Sequence, residues 1–332
     1  MKAVVLGSGG WGTALAMLLC DNGHEVTLWS HSAEKAELLR QSGSNPLLAG
    51  VTLPKSLAVT NDLRVLQDAE LTVFATPSFA LRETARAAAG YMNAKTLSVS
   101  VTKGIEPTTH LRMSEIVEAE TGHAAAALSG PSHAEEVARR MPTGCVAAAE
   151  RQEVAETVQC AFMNEVFRVY THDDKVGVEL AGALKNVIAL CCGIVDGCSF
   201  GDNAKALLMT RALTEMSRLA ERMGGRRDTL AGLAGVGDLI VTCTSMHSRN
   251  HRAGILIGQG KTPEEAMREV GAVVEGYYAA RSAFELAREL GVSMPICEAV
   301  HGILFEGKPV SGAVHTLMSR RAQRESDSCW VI

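Results

Sequence analysis

The chain reads as an α/β domain on a mostly parallel sheet, followed by an all-α domain. Three observations carry this reading. Up to His172, short β-rich runs alternate with helical stretches, whereas from Asp174 to Arg321 almost everything has the helical period. A length of 332 residues also exceeds what one hydrophobic core usually supports. The expected division is 1–172 for the first domain and 173–332 for the second.

Strands are expected at Ala3–Leu6, Glu25–Trp29, Thr72–Ala75, Thr96–Val101 and Ala125–Leu128, bounded by Gly, Pro or Ser. Helical patterns lie between most of them, such as Thr13–Asn22 and Ala33–Gln41. Strands joined through helices imply parallel pairing with both sheet faces covered. Cys145–Ala148 and Phe167–Tyr170 are two further strand candidates. In the second half, breaks are expected at Gly197–Gly201, Gly224–Arg227, Gly235–Gly237, Gly258–Gly260, Gly271, Gly291 and Gly307–Pro309. Thr262, Pro263 and Glu265 together spell a capping box at a helix start. The polar stretch Ala322–Ile332 reads as a loose tail.

Charge and cysteine usage exclude several classes. Lys+Arg 32 against Asp+Glu 37 gives a net charge of -5, which offers no field for holding a nucleic acid. Basic residues must therefore serve particular small anions. Nine cysteines without a CxxC pair or metal-ligand spacing point to free thiols in a reducing cytosol. Met1–Cys20 begins like an export leader, but four glycines and Trp11 interrupt its apolar stretch. No stretch is expected to reach the length of a transmembrane helix. The C-terminal Cys329-Trp330-Val331-Ile332 is neither a prenylation box nor a peroxisomal signal. A cytoplasmic protein without stable membrane association is expected.

Gly7-Ser8-Gly9-Gly10-Trp11-Gly12 fits G-x-G-x-x-G directly after an apolar strand and directly before an apolar helix. Gly7 would permit the tight turn, Gly9 the close approach of a pyrophosphate, and Gly12 the packing of helix on strand. The helix start would then offer unpaired N–H groups and a positive dipole end to phosphates. Strand, loop, helix and second strand in register make this a Rossmann-type dinucleotide site. After the second strand, where an acid would bind the ribose 2′-hydroxyl of NAD, stand Ser30, His31 and Ser32, with Lys35 a turn later. Nothing there repels a 2′-phosphate, which favours NADPH and leaves NADH tolerated; a solvated polar loop would look the same.

Leu180–Cys192 is apolar on every side except at Lys185 and Asn186. A lone Lys in such a helix costs much desolvation unless it is paired or faces a cleft, so Lys185 is a catalytic candidate. Lys103 sits just past a strand's C-terminal end, the edge where open α/β sheets bind ligands. Gly130 and Ser132 follow another strand end; Ser132 could instead cap a turn. Ser248, Arg249 and Asn250 could donate to a phosphate, although Ser248 could be only an N-cap and Arg249 only a surface charge.

These segments occur together in one family. Gly7–Thr13, Lys103–Glu106, Ser129–Ser132, Leu184–Asn186, Gly237–Leu239, Ser248–Asn250 and Val273–Gly276 resemble the NAD(P)-dependent sn-glycerol-3-phosphate dehydrogenases of bacteria, in the right order from Lys2 to about Gly312. The resemblance implies reversible reduction of dihydroxyacetone phosphate, supplying glycerophospholipid synthesis, with Lys185 as proton donor and acceptor. It implies substrate contacts at Lys103, Gly130, Ser132, Lys185, Asp238, Ser248, Arg249 and Asn250. It implies cofactor contacts at Gly10, Trp11, His31, Lys103, Ala134, Arg249, Val273 and Glu275, beside Gly7, Gly9 and Gly12 of the loop. Gly10 can serve only through its backbone. A homodimer through the helical domain, and no metal, are also implied. Two other readings stay open on the residues: a related β-hydroxyacid dehydrogenase, and a dinucleotide sensor without turnover.

Overall fold

The structure is a computed structural model describing residues 1–322 and 325; the expected tail otherwise lies outside the described residues. Eight strands form one sheet: β1 (Lys2–Leu6), β2 (Glu25–Trp29), β3 (Ala58–Thr60), β4 (Leu71–Phe74), β5 (Leu97–Ser100), β6 (Ala125–Ser129), β7 (Thr143–Ala148) and β8 (Phe167–His172). Their order is β3-β2-β1-β4-β5-β6-β7-β8. All pairings are parallel except β6 with β7. From β1 the chain builds outward to β3, then returns to β4 and builds the other way. The crevice between β1 and β4 is therefore the switch point, where such sheets bind ligands.

Apolar side chains on both sheet faces explain the nearly continuous burial of β1, β4 and β6. Leu15, Leu19, Val73 and Val99 pack on one side, and Leu6, Phe74, Leu81 and Ile116 on the other. The covering helices are α1 (Gly10–Asp21), α2 (Ala33–Ser42), α3 (Leu81–Ala89), α4 (Met113–Thr121), the short α5 (Ala134–Val137) and α6 (Gln152–Phe162). Two expectations are corrected. Helix α1 starts three residues before Thr13, because the glycines that disguise its first turn belong to it. Strand β3 carries no sequence signal, being three residues at the sheet edge.

The second half is helical throughout: α7 (Lys175–Gly197), α8 (Asp202–Arg222), α9 (Arg227–Leu230), α10 (Asp238–Thr244), α11 (Arg249–Gly258), α12 (Pro263–Val270), α13 (Glu275–Glu289), α14 (Pro295–Phe305) and α15 (Val310–Met318). Helix α12 has the expected capping box. Gly235–Gly237 does not break the chain. It forms a π-helical turn running into α10, with the backbone so close that a Cβ on Gly235 would lie 1.9 Å from Leu230 O.

Helix α7 is the core of this half and corrects a further expectation: it is long and apolar enough to cross a membrane. Its apolar window is wholly buried inside the protein, which is the environment an all-round apolar helix requires. Nor is Lys185 its only charge, since Lys175, Glu179 and Asp196 lie on the same helix. Against α7 packs α11, through glycines on both. A Cβ on Gly193 would lie 2.1 Å from His251 O, and one on Gly254 2.0 Å from Leu190 O. Backbone contact at that range fixes the register between Lys185 on α7 and Arg249 on α11.

Candidate active site

A cleft of about 680 Å³ is lined by residues from both halves of the chain. The glycine loop forms one wall. Gly7 has φ +125°, and a Cβ there would lie 2.6 Å from Ala75 O, so the loops after β1 and β4 touch at the switch point. Gly12 lies behind the cleft, where its Cβ would meet Gly7 O at 2.0 Å. Gly9, by contrast, has nothing within 4 Å of where a Cβ would be, and it lines the cleft with Gly10 and Trp11. No side chain caps the start of α1, which leaves its first N–H groups for an anion. Asn45 holds the loop in place: its Nδ2 donates to Ser8 O at 3.1 Å and Thr13 Oγ1 at 2.7 Å. Nothing in the sequence around Asn45 signals that task.

The polar residues after β2 divide their labour. Ser30 is buried and its Oγ accepts from Ser8 Oγ at 2.9 Å. Ser32 caps α2, accepting from Lys35 N at 3.1 Å and donating to Glu34. Ser30 thus spends a lone pair on Ser8, and Ser32 spends its proton on Glu34. His31 and Lys35 line the cleft beside them.

At the opposite end lies a buried charge cluster. Lys185 is 5% exposed and Asp238 1%. Lys185 Nζ donates to Asp238 Oδ1, and to Thr242 Oγ1 at 2.6 Å. Lys103 Nζ donates to Asp238 Oδ2 at 2.6 Å and to Gly130 O at 3.1 Å. Each ammonium has three donors, so each retains one N–H for a ligand in the cleft that both line. Burial lowers the Lys185 pKa to about 8; Lys103 pushes the same way, and Asp238 opposes. Burial alone would raise the Asp238 carboxyl, but the two ammoniums prevail and hold it below its ordinary value.

Gly130 and Asp238 thus act behind the cleft surface. Gly130 has φ +152°, and a Cβ there would lie 2.9 Å from Cys145 Cα. Ser132 caps nothing: His133 is the N-cap of α5, while Ser132 Oγ donates to Gly130 O at 3.0 Å and its residue lines the cleft. Thr242 escaped the sequence reading, although its place one helical turn after Asp238 is the signal that could have found it.

Ser248, Arg249 and Asn250 meet the cleft at the start of α11. Ser248 is the N-cap, accepting from His251 N at 3.2 Å. Asn250 accepts from Gly276 N at 2.8 Å and donates to Asn186 Oδ1 at 3.0 Å, so one amide N–H remains. Arg249 is exposed at the cleft's rim. Ala134, Val273 and Glu275 complete the lining. Glu275 accepts from Ser78 N at 3.1 Å and Ser78 Oγ at 2.6 Å, joining the two halves across the cleft. Burial raises its carboxyl pKa, against Ser78 and Arg249. Ser78 was not singled out by its sequence, since its partner lies 197 residues away.

Among the described residues no group of three or more metal-ligating side chains occurs, and the eight described cysteines are free. The family model for the "NAD-dependent glycerol-3-phosphate dehydrogenase N-terminus" matches residues 2–155, and the model for the corresponding C-terminus matches residues 174–315. A glycerol-3-phosphate dehydrogenase [NAD(P)+] of Desulfitobacterium hafniense is 48% identical over 333 residues, covering 100% of this chain and 95% of that protein. One from Geobacillus thermodenitrificans is 50% identical over 327 residues, covering 97% and 95%. The solved glycerol-3-phosphate dehydrogenase of Coxiella burnetii superposes with a TM-score of 0.93 at 38% identity, covering 96% of this chain and 99% of that one. A ketopantoate reductase from Ralstonia eutropha, at 15% identity and TM-score 0.62, shares the fold alone. With both halves matched and relatives near half identical along its length, this chain belongs to the NAD(P)-dependent glycerol-3-phosphate dehydrogenase family.

Proposed function

We propose that the protein interconverts dihydroxyacetone phosphate and sn-glycerol 3-phosphate, with NADPH favoured and NADH accepted, and with Lys185 as proton donor and acceptor. The observation that carries this is the buried cluster of Lys185, Asp238 and Lys103 facing a cleft whose other wall is a glycine loop. A nicotinamide dinucleotide held on the glycine loop Gly7–Gly12 would supply or take the hydride at substrate C2. In reduction, the free N–H of Lys185 gives its proton to the oxygen as alkoxide character develops. A pKa near 8 suits the group to giving and taking that proton. Thr242 and Asp238 fix the ammonium, so its orientation is set before substrate enters. Lys103, through its own remaining N–H, adds positive charge beside the same oxygen.

Ser248, Arg249 and Asn250, with the N–H groups opening α11, hold the phosphate. The glycine loop, Trp11, His31, Ala134, Val273 and Glu275 hold the dinucleotide. Residues 1–172 serve as the dinucleotide domain and 173–332 as the substrate domain. The protein acts as a cytoplasmic homodimer formed through its helical half, and its product supplies glycerophospholipid head groups. The test follows oxidation of NADPH by its near-ultraviolet absorbance with dihydroxyacetone phosphate, unphosphorylated dihydroxyacetone and a β-keto acid as substrates. Rapid turnover of the first alone is expected. Reaction with only the keto acid, or binding without turnover, would replace this assignment.

A further inference from the structure

The cofactor's ribose should be read at the far end of the cleft, by side chains following β2. Four polar residues stand there, and the fold accounts for two: the Ser30 hydroxyl is bonded to Ser8, and the Ser32 hydroxyl caps α2. The only acid within the segment 30–35 is Glu34, whose carboxylate takes the Ser32 hydroxyl and does not line the cleft. Lys35 lines the cleft and is half-buried, and among the described residues its ammonium makes no hydrogen bond or ion pair.

That placement has a cost. Lys35 lies in the first turn of α2, where the helix dipole disfavours a cation, and burial lowers its pKa with no charged neighbour to oppose this. A cation held against both effects and aimed at a dinucleotide cleft fits a dianionic ligand group. His31 stands beside it in the same lining, its ring edge-on to Trp29 at 6.1 Å between centroids.

We infer that Lys35 is the specificity-determining residue for the cofactor: with His31 it recognises a phosphate monoester on the ribose 2′-oxygen and so selects NADPH over NADH. The inference rests on the reading of this cleft as the dinucleotide site. The Ser32 hydroxyl plays no part, because its proton goes to Glu34, and Ser30 is buried behind it against Ser8. With no acid from the segment after β2 lining the cleft, NADH binds without the contact rather than being refused.

Trp11 and Trp29 line the cleft, so energy transfer from tryptophan to reduced nicotinamide reports binding without turnover. Titration of NADPH and NADH into wild type, Lys35→Ala, Lys35→Arg and His31→Ala is the test. Lys35→Ala should weaken NADPH by roughly ten- to a hundredfold, the range for losing a hydrogen bond to a charged group, and leave NADH within a factor of about two. Lys35→Arg should keep most of the preference, which guards against a folding artefact, and His31→Ala should show a smaller selective loss. Adenosine 2′,5′-bisphosphate should compete with NADPH on wild type and lose that advantage over 5′-AMP on Lys35→Ala. Equal losses for both dinucleotides, or unchanged NADPH affinity, would overturn the role of Lys35. If neither dinucleotide binds wild type, the dinucleotide reading itself fails first.

Discussion

Asp238 holds Lys185 by one carboxylate oxygen and gives the other to Lys103, so a single buried anion orients two cations facing the same cleft. The arrangement makes the Lys185 pKa a balance. Burial and Lys103 lower it, and Asp238 restrains the fall, leaving it near 8.

The pH dependence follows with a definite sign. Reduction needs the ammonium, so its rate should decline as pH rises through about 8, while oxidation of glycerol 3-phosphate, which needs the free amine, should climb through the same range. Asp238→Asn removes the restraint and should move both limbs to lower pH. Asp238→Ala leaves two buried ammoniums without their anion and should destabilise the fold by about 3–5 kcal/mol. Rate profiles in both directions and denaturant unfolding check these together; an unmoved profile in Asp238→Asn would separate the carboxylate from Lys185's titration.

Arg249 lies at the cleft rim with its side chain exposed, so it is expected to act as one charged hydrogen bond rather than as a buried ion pair. Arg249→Ala should cost about 2 kcal/mol in kcat/KM with dihydroxyacetone phosphate and far less with dihydroxyacetone. The substrate ratio is the readout, with NADPH affinity measured separately because Glu275 feels the same guanidinium.

A second titration belongs to stability. Glu215 on α8 accepts from Ile296 N at 3.0 Å and Cys297 N at 3.4 Å, capping α14 just after Pro295, which has no N–H to give. Burial pushes its carboxyl up to about 7 from an ordinary value of 4.5. Between those values the folded state binds a proton that the unfolded chain has lost, so stability falls as pH rises from about 4.5 to about 7. Glu215→Gln keeps an acceptor and removes the charge. Its Tm should exceed that of wild type at pH above 7 and match it near the acid end; the reverse order would mean that the ionised carboxylate is the better cap.

Local physics explains what could be read in advance. Glycine spacing after an apolar run exposed the loop at Gly7–Gly12, and β2 was bounded as observed because Gly23 and Ser30 punctuate it. Lys185 stood out because desolvating a lysine is costly. Of its partners, Asp238 was reached only through the family resemblance and Thr242 not at all, because both come from a helix more than fifty residues away; Ser78 meets Glu275 only through packing of the two halves. The bonds of Ser30 to Ser8 and of Asn45 to the glycine loop were hidden for the same reason, since a side chain's partners are tertiary facts. Helix α7 escaped notice as a candidate span because Glu179 and Lys185 punctuate its apolar run.

Those commitments change what replacing Lys185 should do. Read as an isolated buried charge, its removal would be harmless or stabilising. In the structure Lys185→Met deprives Asp238 of one of two cations and Thr242 of a donor, while Lys103 still neutralises the carboxylate. A modest loss of stability, about 1–2 kcal/mol, is therefore expected, well short of unfolding. Because the cofactor end of the cleft is untouched, NADPH should bind as before, whereas kcat should fall by about 10²–10⁴-fold with the proton donor gone. Lys185→Arg should be nearly as poor, since a guanidinium holds its proton across the whole neutral range and its planar fork does not reproduce the Asp238 and Thr242 contacts. Thermal unfolding, NADPH titration and turnover on one preparation separate these outcomes. Near-normal kcat in folded Lys185→Met would remove the lysine from proton transfer, and loss of NADPH binding with activity would show that it shapes the cleft instead.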